Sequence, residues 1–156
     1  MATVPTVPTV PTVRPVSHSF VLEHAALAPD VAVRHFSGRL ACETDPSDVH
    51  ADLDRGVDRI VVVDARSPQH YADCHIPGAS NLPHRTITRE TTAHLSPDVC
   101  VVVYCWGPGC NAATKAAARL SALGFQVKEM IGGLEYWRHE GYAVEGSLGN
   151  EAPLYG

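Results

Sequence analysis

The chain reads as an α/β domain built on one mainly parallel sheet, and three observations predict this. Ile60-Val61-Val62-Val63 and Val101-Val102-Val103 are β-branched runs without polar alternation, the pattern of strands buried on both faces. Segments of helical character separate these runs from each other and from a third apolar stretch, residues 125–130; strands that alternate with helices build parallel sheets. At 156 residues, with 45% of them apolar, the chain has room and core for one such sheet plus a short extra segment.

In chain order, Thr-Val-Pro recurs through residues 3–13. Proline at every third position removes backbone donors and favours an extended polyproline-II run, so residues 1–18 are expected as a disordered low-complexity tail. Residues 19–28 are expected as a short helix ended by Pro29-Asp30, in a lead-in segment of residues 19–30. The compact domain is expected over residues 31–146, with residues 147–156 as a C-terminal tail. Residues 35–42 read as a first strand. Thr44 or Asp45 caps a helix over residues 46–55, with Asp48 in its first turn and Gly56 ending it. The strand at residues 60–63 leaves the sheet through residues 64–67, and residues 68–72 form a short helix. A second buried strand spans residues 99–104. The Ala-rich stretch 112–123, with Lys and Arg interspersed, is a helix, and Gly124 caps it. Residues 125–130 form a third strand, Gly132-Gly133 a turn, and residues 134–140 the last helix.

Charge narrows the function. Twelve Lys and Arg against seventeen Asp and Glu leave a formal net charge of −5, and the cations form no run. A phosphate backbone calls for a basic face, so nucleic acid is not an expected partner. No apolar stretch has the length to cross a bilayer, and the N-terminus lacks the cationic start and apolar run of a signal peptide. A cytoplasmic location follows as the expectation, with no membrane contact. The five cysteines, Cys42, Cys74, Cys100, Cys105 and Cys110, are then expected as reduced thiols.

The chemistry centres on Cys105, which ends the run Val101-Val102-Val103-Tyr104 and opens the loop Trp106-Gly107-Pro108-Gly109-Cys110-Asn111 before the Ala-rich helix. Ligands of α/β proteins sit at the carboxyl ends of such strands. Glycines let loop amides converge on one point, and the helix beyond adds the positive end of its dipole. Both effects stabilise a thiolate, a persulfide or a bound oxyanion and favour a nucleophilic thiol. A buried structural cysteine is the alternative, but a Gly-Pro-Gly loop is not a packed strand.

Three blocks resemble the rhodanese homology domain in order and spacing. The first is Val63-Asp64-Ala65-Arg66 with Tyr71 and then His75-Ile76-Pro77-Gly78-Ala79-Ser80-Asn81-Leu82-Pro83. The second is Val103-Tyr104-Cys105. The third is Gly124-Phe125 with Val127, then Ile131-Gly132-Gly133-Leu134, Trp137 and Gly141-Tyr142-Ala143-Val144. The resemblance covers about residues 31–145 and implies a three-layer rhodanese-like fold with sulfurtransferase chemistry. In that chemistry a cysteine takes a sulfane sulfur from a donor such as thiosulfate, mercaptopyruvate or a persulfide. It then passes the sulfur, held as a persulfide, to a thiol or other thiophile. Carried over by position, Cys105 is the persulfide-forming nucleophile, cradled by the N–H groups of residues 106–111. Asp64 and Arg66 match the family's Asp-x-Arg behind the loop, a structural pair, and His75 fixes a turn. No metal or organic cofactor is implied.

The resemblance breaks in the loop. The common rhodanese loop resembles Cys-x-x-Gly-x-Arg, whose arginine helps bind an anionic donor; here Cys110 stands at that arginine's position. The loop is expected to be enlarged, and thiosulfate is a doubtful donor. A longer loop invites comparison with the dual-specificity phosphatases and arsenate reductases of the same fold. Those carry His-Cys-x-x-x-x-x-Arg, whereas Tyr104 replaces the histidine and Asn111 the arginine here, removing the bidentate oxyanion clamp. Cys110 leaves two readings open. It either fills the loop, or it attacks a persulfide or sulfenate on Cys105, making the protein a thiol-dependent reductase or redox sensor. A non-enzymatic binding module is the remaining class. Metal binding is not expected, since no second cysteine pair has ligand spacing. Cys74 is expected at the surface, and Cys42 and Cys100 as inert core residues. Trp106 is placed over the loop mouth or in the core, and Trp137 in the core. His84, Arg85 and Arg89 are expected as a cationic rim at the entrance.

Overall fold

The computed structural model describes residues 19–154; the Thr-Val-Pro repeat lies outside the described residues. Five strands are found among them: β1, Glu43–Thr44; β2, Ile60–Asp64; β3, Ser80–Asn81; β4, Cys100–Tyr104; and β5, Gln126–Met130. They form one sheet in the order β1-β5-β4-β2-β3, and every pairing is parallel. The helices are α1, Pro29–Cys42; α2, Pro46–Asp54; α3, Pro68–Asp73; α4, Ala112–Ala122; and α5, Gly133–His139.

The valine runs behave as their composition demands. β2 and β4 lie side by side at the centre, with Val63 opposite Val103 and Asp64 opposite Tyr104. Successive side chains of a strand point to opposite faces. Val62, Val102 and Tyr104 therefore join one core with Val49, Ile76, Met130, Leu134 and Trp137, while Val63, Val101, Val103 and Cys105 join a second with Leu82, Ala113, Ala116 and Leu120. Helix α4 covers the second core, and α2 and α5 cover the first. The result is the three-layer α/β architecture read from the sequence.

Local signals explain the element limits. Asp45 caps α2 by accepting from the Asp48 N–H at 2.9 Å, which satisfies a donor the helix leaves open. Gly56 and Gly124 follow α2 and α4 at φ +68° and +99°, backbone that L side chains rarely adopt. Trp137 is buried and donates its Nε1–H to Ala143 O at 2.8 Å.

Two expectations near the N-terminus are corrected. Residues 19–28 contain turns but no helix, and residues 35–42, expected as a strand, belong to α1. Pro29 sits in the first turn of α1, where its missing N–H costs nothing; it begins a helix instead of ending one. None of the α1 residues is buried. The helix is held at its last turn, where Lys128 Nζ donates to Leu40 O at 2.8 Å and Arg39 pairs with Glu43. The segment expected as a C-terminal tail folds back over its described part: Ala152 is buried, and Arg138 donates to Ala152 O and Asn150 O at 2.8 and 2.6 Å.

Candidate active site

Cys105 is the first residue beyond β4 and is 2% exposed. Its loop is pinned from the opposite side by the start of α5. The N–H groups of Leu134 and Glu135 donate to Cys105 O and Trp106 O at 2.9 and 2.8 Å. Approach this close requires Gly133, because a Cβ there would lie 2.6 Å from Cys105 O, and its φ is +58°. Within the loop, the Cys110 N–H turns back to Gly107 O at 3.0 Å. That amide is thus engaged in a turn and does not join the cradle expected around the thiol; Pro108 has no N–H to offer. Asn111 stands just before α4.

Cys105 and Cys110 are joined by a disulfide, with their Cα atoms 6.3 Å apart. The expectation of reduced thiols therefore fails for this pair, although it holds for Cys42, Cys74 and Cys100, which are free. The other cysteines are also redistributed. Cys74, expected at the surface, is fully buried, and its carbonyl accepts from Arg66; burial raises its thiol pKa. Cys42, expected in the core, is exposed because its segment is a helix without buried residues. Cys100, at the first position of β4, is half-buried, and burial raises its thiol pKa as well.

Asp64 and Arg66 form a buried support behind the loop. Arg66 donates to the Asp64 carboxylate from Nε and Nη2, the latter at 2.6 Å, and also from its backbone N–H at 2.9 Å. Its guanidinium lies 4.2 Å from the centre of the Trp106 ring, a cation–π contact. The His70 and Trp106 rings meet in a T-shaped contact with ring centres 4.9 Å apart. Tyr104 completes the support: its hydroxyl accepts the Ile76 N–H at 3.1 Å. Burial and the neighbouring Asp64 carboxylate push the Tyr104 phenol pKa well above 10.0. His75 stacks on Tyr71 with ring centres 3.9 Å apart and donates from Nδ1 to Tyr71 O at 2.7 Å. It also exchanges backbone hydrogen bonds with Glu145, so it ties a turn to the C-terminal segment.

A cavity of about 760 Å³ opens beside the disulfide, at the carboxyl ends of β4 and β5. The loop forms one wall, and α1, the start of α2 and α5 form the others. Its charged residues are Arg39, Asp45, Glu129 and Glu140. Arg39 is already paired with Glu43, and Glu129 accepts from Thr114 Oγ1 at 3.0 Å. The expected cationic rim does not border this cavity. His84 and Arg85 belong to a 3₁₀ turn, His84–Thr86, that packs on α4, and Arg89 lines a different hollow. The reason is topological: the Asn-Leu-Pro segment leaves β3 on the sheet face that α4 covers. Sequence reasoning missed Arg39 because its segment read as a strand. It also missed Gly133 as the loop's clamp, although the Gly132-Gly133 pair marked a turn. Glu129 carried no signal that set it apart, since β5 also holds Gln126 and Lys128 and only Met130 in it is buried.

One parallel sheet, helices on both faces and a cysteine-bearing loop at the carboxyl end of its central strand define the class. A rhodanese-like domain model matches residues 45–140, and the chain belongs to the rhodanese-like family. Among solved structures, the BH2092 protein from Bacillus halodurans is 48% identical, with a TM-score of 0.81 over 83% of this chain and 94% of that one. The thiosulfate sulfurtransferase GlpE of Pseudomonas fluorescens is 40% identical over 91 residues, 58% of this chain and 80% of the relative. The HTH-type transcriptional regulator Rv0324 of Mycobacterium tuberculosis is 33% identical over 91 residues, but the chain spans only 40% of that protein's length. Among the described residues, no helix is long and apolar enough to cross a membrane.

Proposed function

We propose that the chain is a rhodanese-type sulfurtransferase that carries sulfane sulfur as a persulfide on Cys105 and accepts it from the persulfide of an organic thiol. The observation that carries this reading is the position of Cys105 at the carboxyl end of the central strand, facing a cavity of about 760 Å³. In the loading step the Cys105 thiolate attacks the outer sulfur of R–S–S⁻. The Cys105 S–S bond forms, the donor's S–S bond breaks, and R–S⁻ leaves with the electron pair. A thiol acceptor then takes the sulfur by the same exchange. Sulfurtransferase relatives such as GlpE favour this chemistry over a binding module.

The cavity's lining favours an organic donor over thiosulfate. Its carboxylates, Asp45, Glu129 and Glu140, outnumber its single guanidinium, which is tied to Glu43. A compact inorganic dianion meets repulsion there with no apolar contact to offset it, whereas an organic donor can also pack on Met130, Ile131 and Tyr136. The volume also exceeds what a small oxyanion fills.

The test is anaerobic loading of the reduced Cys110→Ser variant, in which Cys105 has no disulfide partner, followed by intact-protein mass spectrometry. Glutathione persulfide should add one sulfur atom, and thiosulfate should load at least about tenfold more slowly. Cys105→Ser should gain none. Loading of neither donor, with Cys105 alkylating no faster than an ordinary free thiol, would overturn the reading.

A further inference from the structure

We infer that Cys110 is a resolving cysteine: it attacks the persulfide on Cys105, releases the carried sulfur as hydrosulfide and leaves the disulfide between the two residues. This rests on the sulfur-carrier reading above and gives that site a second activity, reduction of sulfane sulfur to sulfide.

The pairing of the two sulfurs is the first support. Cys110 reaches Cys105 across four residues with Cα atoms 6.3 Å apart, inside the range a disulfide spans without backbone movement. The turn that directs Cys110 is built from the loop alone, by its own N–H on Gly107 O. The Cys105 side of the loop is held independently by the α5 amides. The attacking sulfur is therefore delivered by fixed backbone, and an intramolecular attack from a held position outruns an external thiol by a large effective molarity.

The second support is what the loop lacks. Residues 106–111 include no Lys or Arg to hold an anionic donor. A thiol there supplies no charge, but it supplies a nucleophile within bonding reach of Cys105 Sγ.

The chemistry balances without an outside oxidant. The Cys110 thiol passes its proton to the outer sulfur of the Cys105 persulfide anion; its thiolate then attacks Cys105 Sγ, the Sγ–Sγ bond forms, and the bond from Cys105 Sγ to the outer sulfur breaks. Hydrosulfide leaves with the electron pair. The thiol pair loses two electrons, and the sulfane sulfur gains them. Turnover then needs a dithiol reductant. Its thiolate meets Cys110 first, because Cys105 is 2% exposed whereas Cys110 is only partly buried. Cys105 departs as the thiolate, and the second thiol of the reductant frees Cys110. Over a cycle, one persulfide and one dithiol become one thiol, one hydrogen sulfide and one disulfide.

The experiment compares wild type with Cys110→Ser, both fully reduced, desalted and treated anaerobically with one equivalent of glutathione persulfide. Mass and released sulfide are read together. Wild type should end two hydrogens lighter and release one sulfide per chain. Cys110→Ser should hold one added sulfur and release none until a thiol is supplied. If wild type instead keeps the added sulfur as the variant does, Cys110 does not resolve and the carrier reading stands alone. A wild-type disulfide without sulfide release also overturns the inference. Failure of both proteins to load overturns the carrier reading, and the inference with it.

Discussion

At the scale of single residues, the strongest constraint lies behind the loop, not in it. Asp64 is fully buried and Arg66 is 3% exposed, and each is the other's charge partner. Removing one member of such a pair strands an uncompensated charge in a dry core. Asp64→Ala should therefore lower the unfolding free energy by about 3–5 kcal/mol, measured by chemical denaturation, and the further change Arg66→Met should restore part of the loss. The pair was legible as a motif, because Asp-Ala-Arg follows a buried strand. Cys105 was legible for the same reason, as a thiol at the end of a valine run. The individual cysteines outside the loop were not, because burial is a tertiary property. Cys74 precedes His75 in a turn-like sequence, yet the turn folds inward and its carbonyl meets Arg66.

At the scale of elements, α5 shapes the loop more than its length suggests. Its first amides hold the carbonyls of Cys105 and Trp106, and Gly133 makes the approach possible. Gly133→Ala forces a Cβ to within 2.6 Å of Cys105 O on left-handed backbone. It should cost about 1–3 kcal/mol of stability and slow persulfide loading of the Cys110→Ser background, read by denaturation and single-turnover mass spectrometry. The helices from residue 46 onward and the strands β2, β4 and β5 were readable because their signals agree: β-branched runs, an Asp cap, and Gly just past a helix end. Helix α1 was misread although Val33, Phe36 and Leu40 recur at helical spacing; they stay exposed and join no core. Its surviving clues are local, a proline and an aspartate in the first turn and the Arg39–Glu43 pair one turn apart. With α1 unseen, the cavity wall that includes Arg39 was unseen too.

At the scale of the whole molecule, the titration of His84 links stability to pH. Burial, followed by Arg119, Lys115 and Arg85, lowers its pKa below 6.5, and its Nδ1 is buried without a hydrogen-bond partner. The unfolded chain thus takes up a proton at a pH where the folded chain does not. The contribution of His84 to stability is present above pH 6.5 and is lost as the pH falls from there toward the folded-state value. Denaturation midpoints should fall over that window, and His84→Gln should flatten the decline; an unchanged slope in the variant would assign it to other groups. The global architecture was readable because β2 and β4 advertise a doubly covered sheet. The two outer strands were not, since β1 and β3 are two residues each and leave almost no pattern. Their brevity has a further effect on how another protein can meet this one. A long free strand edge invites a neighbouring chain to add a strand of its own, and here both borders of the sheet are nearly absent. Under the proposed sulfur transfer, a thiol-bearing protein partner would gain little from backbone pairing at these edges. On that reading its recognition would fall to side chains at the cavity rim, so its specificity would lie in the complementarity of two surfaces and not in a shared sheet.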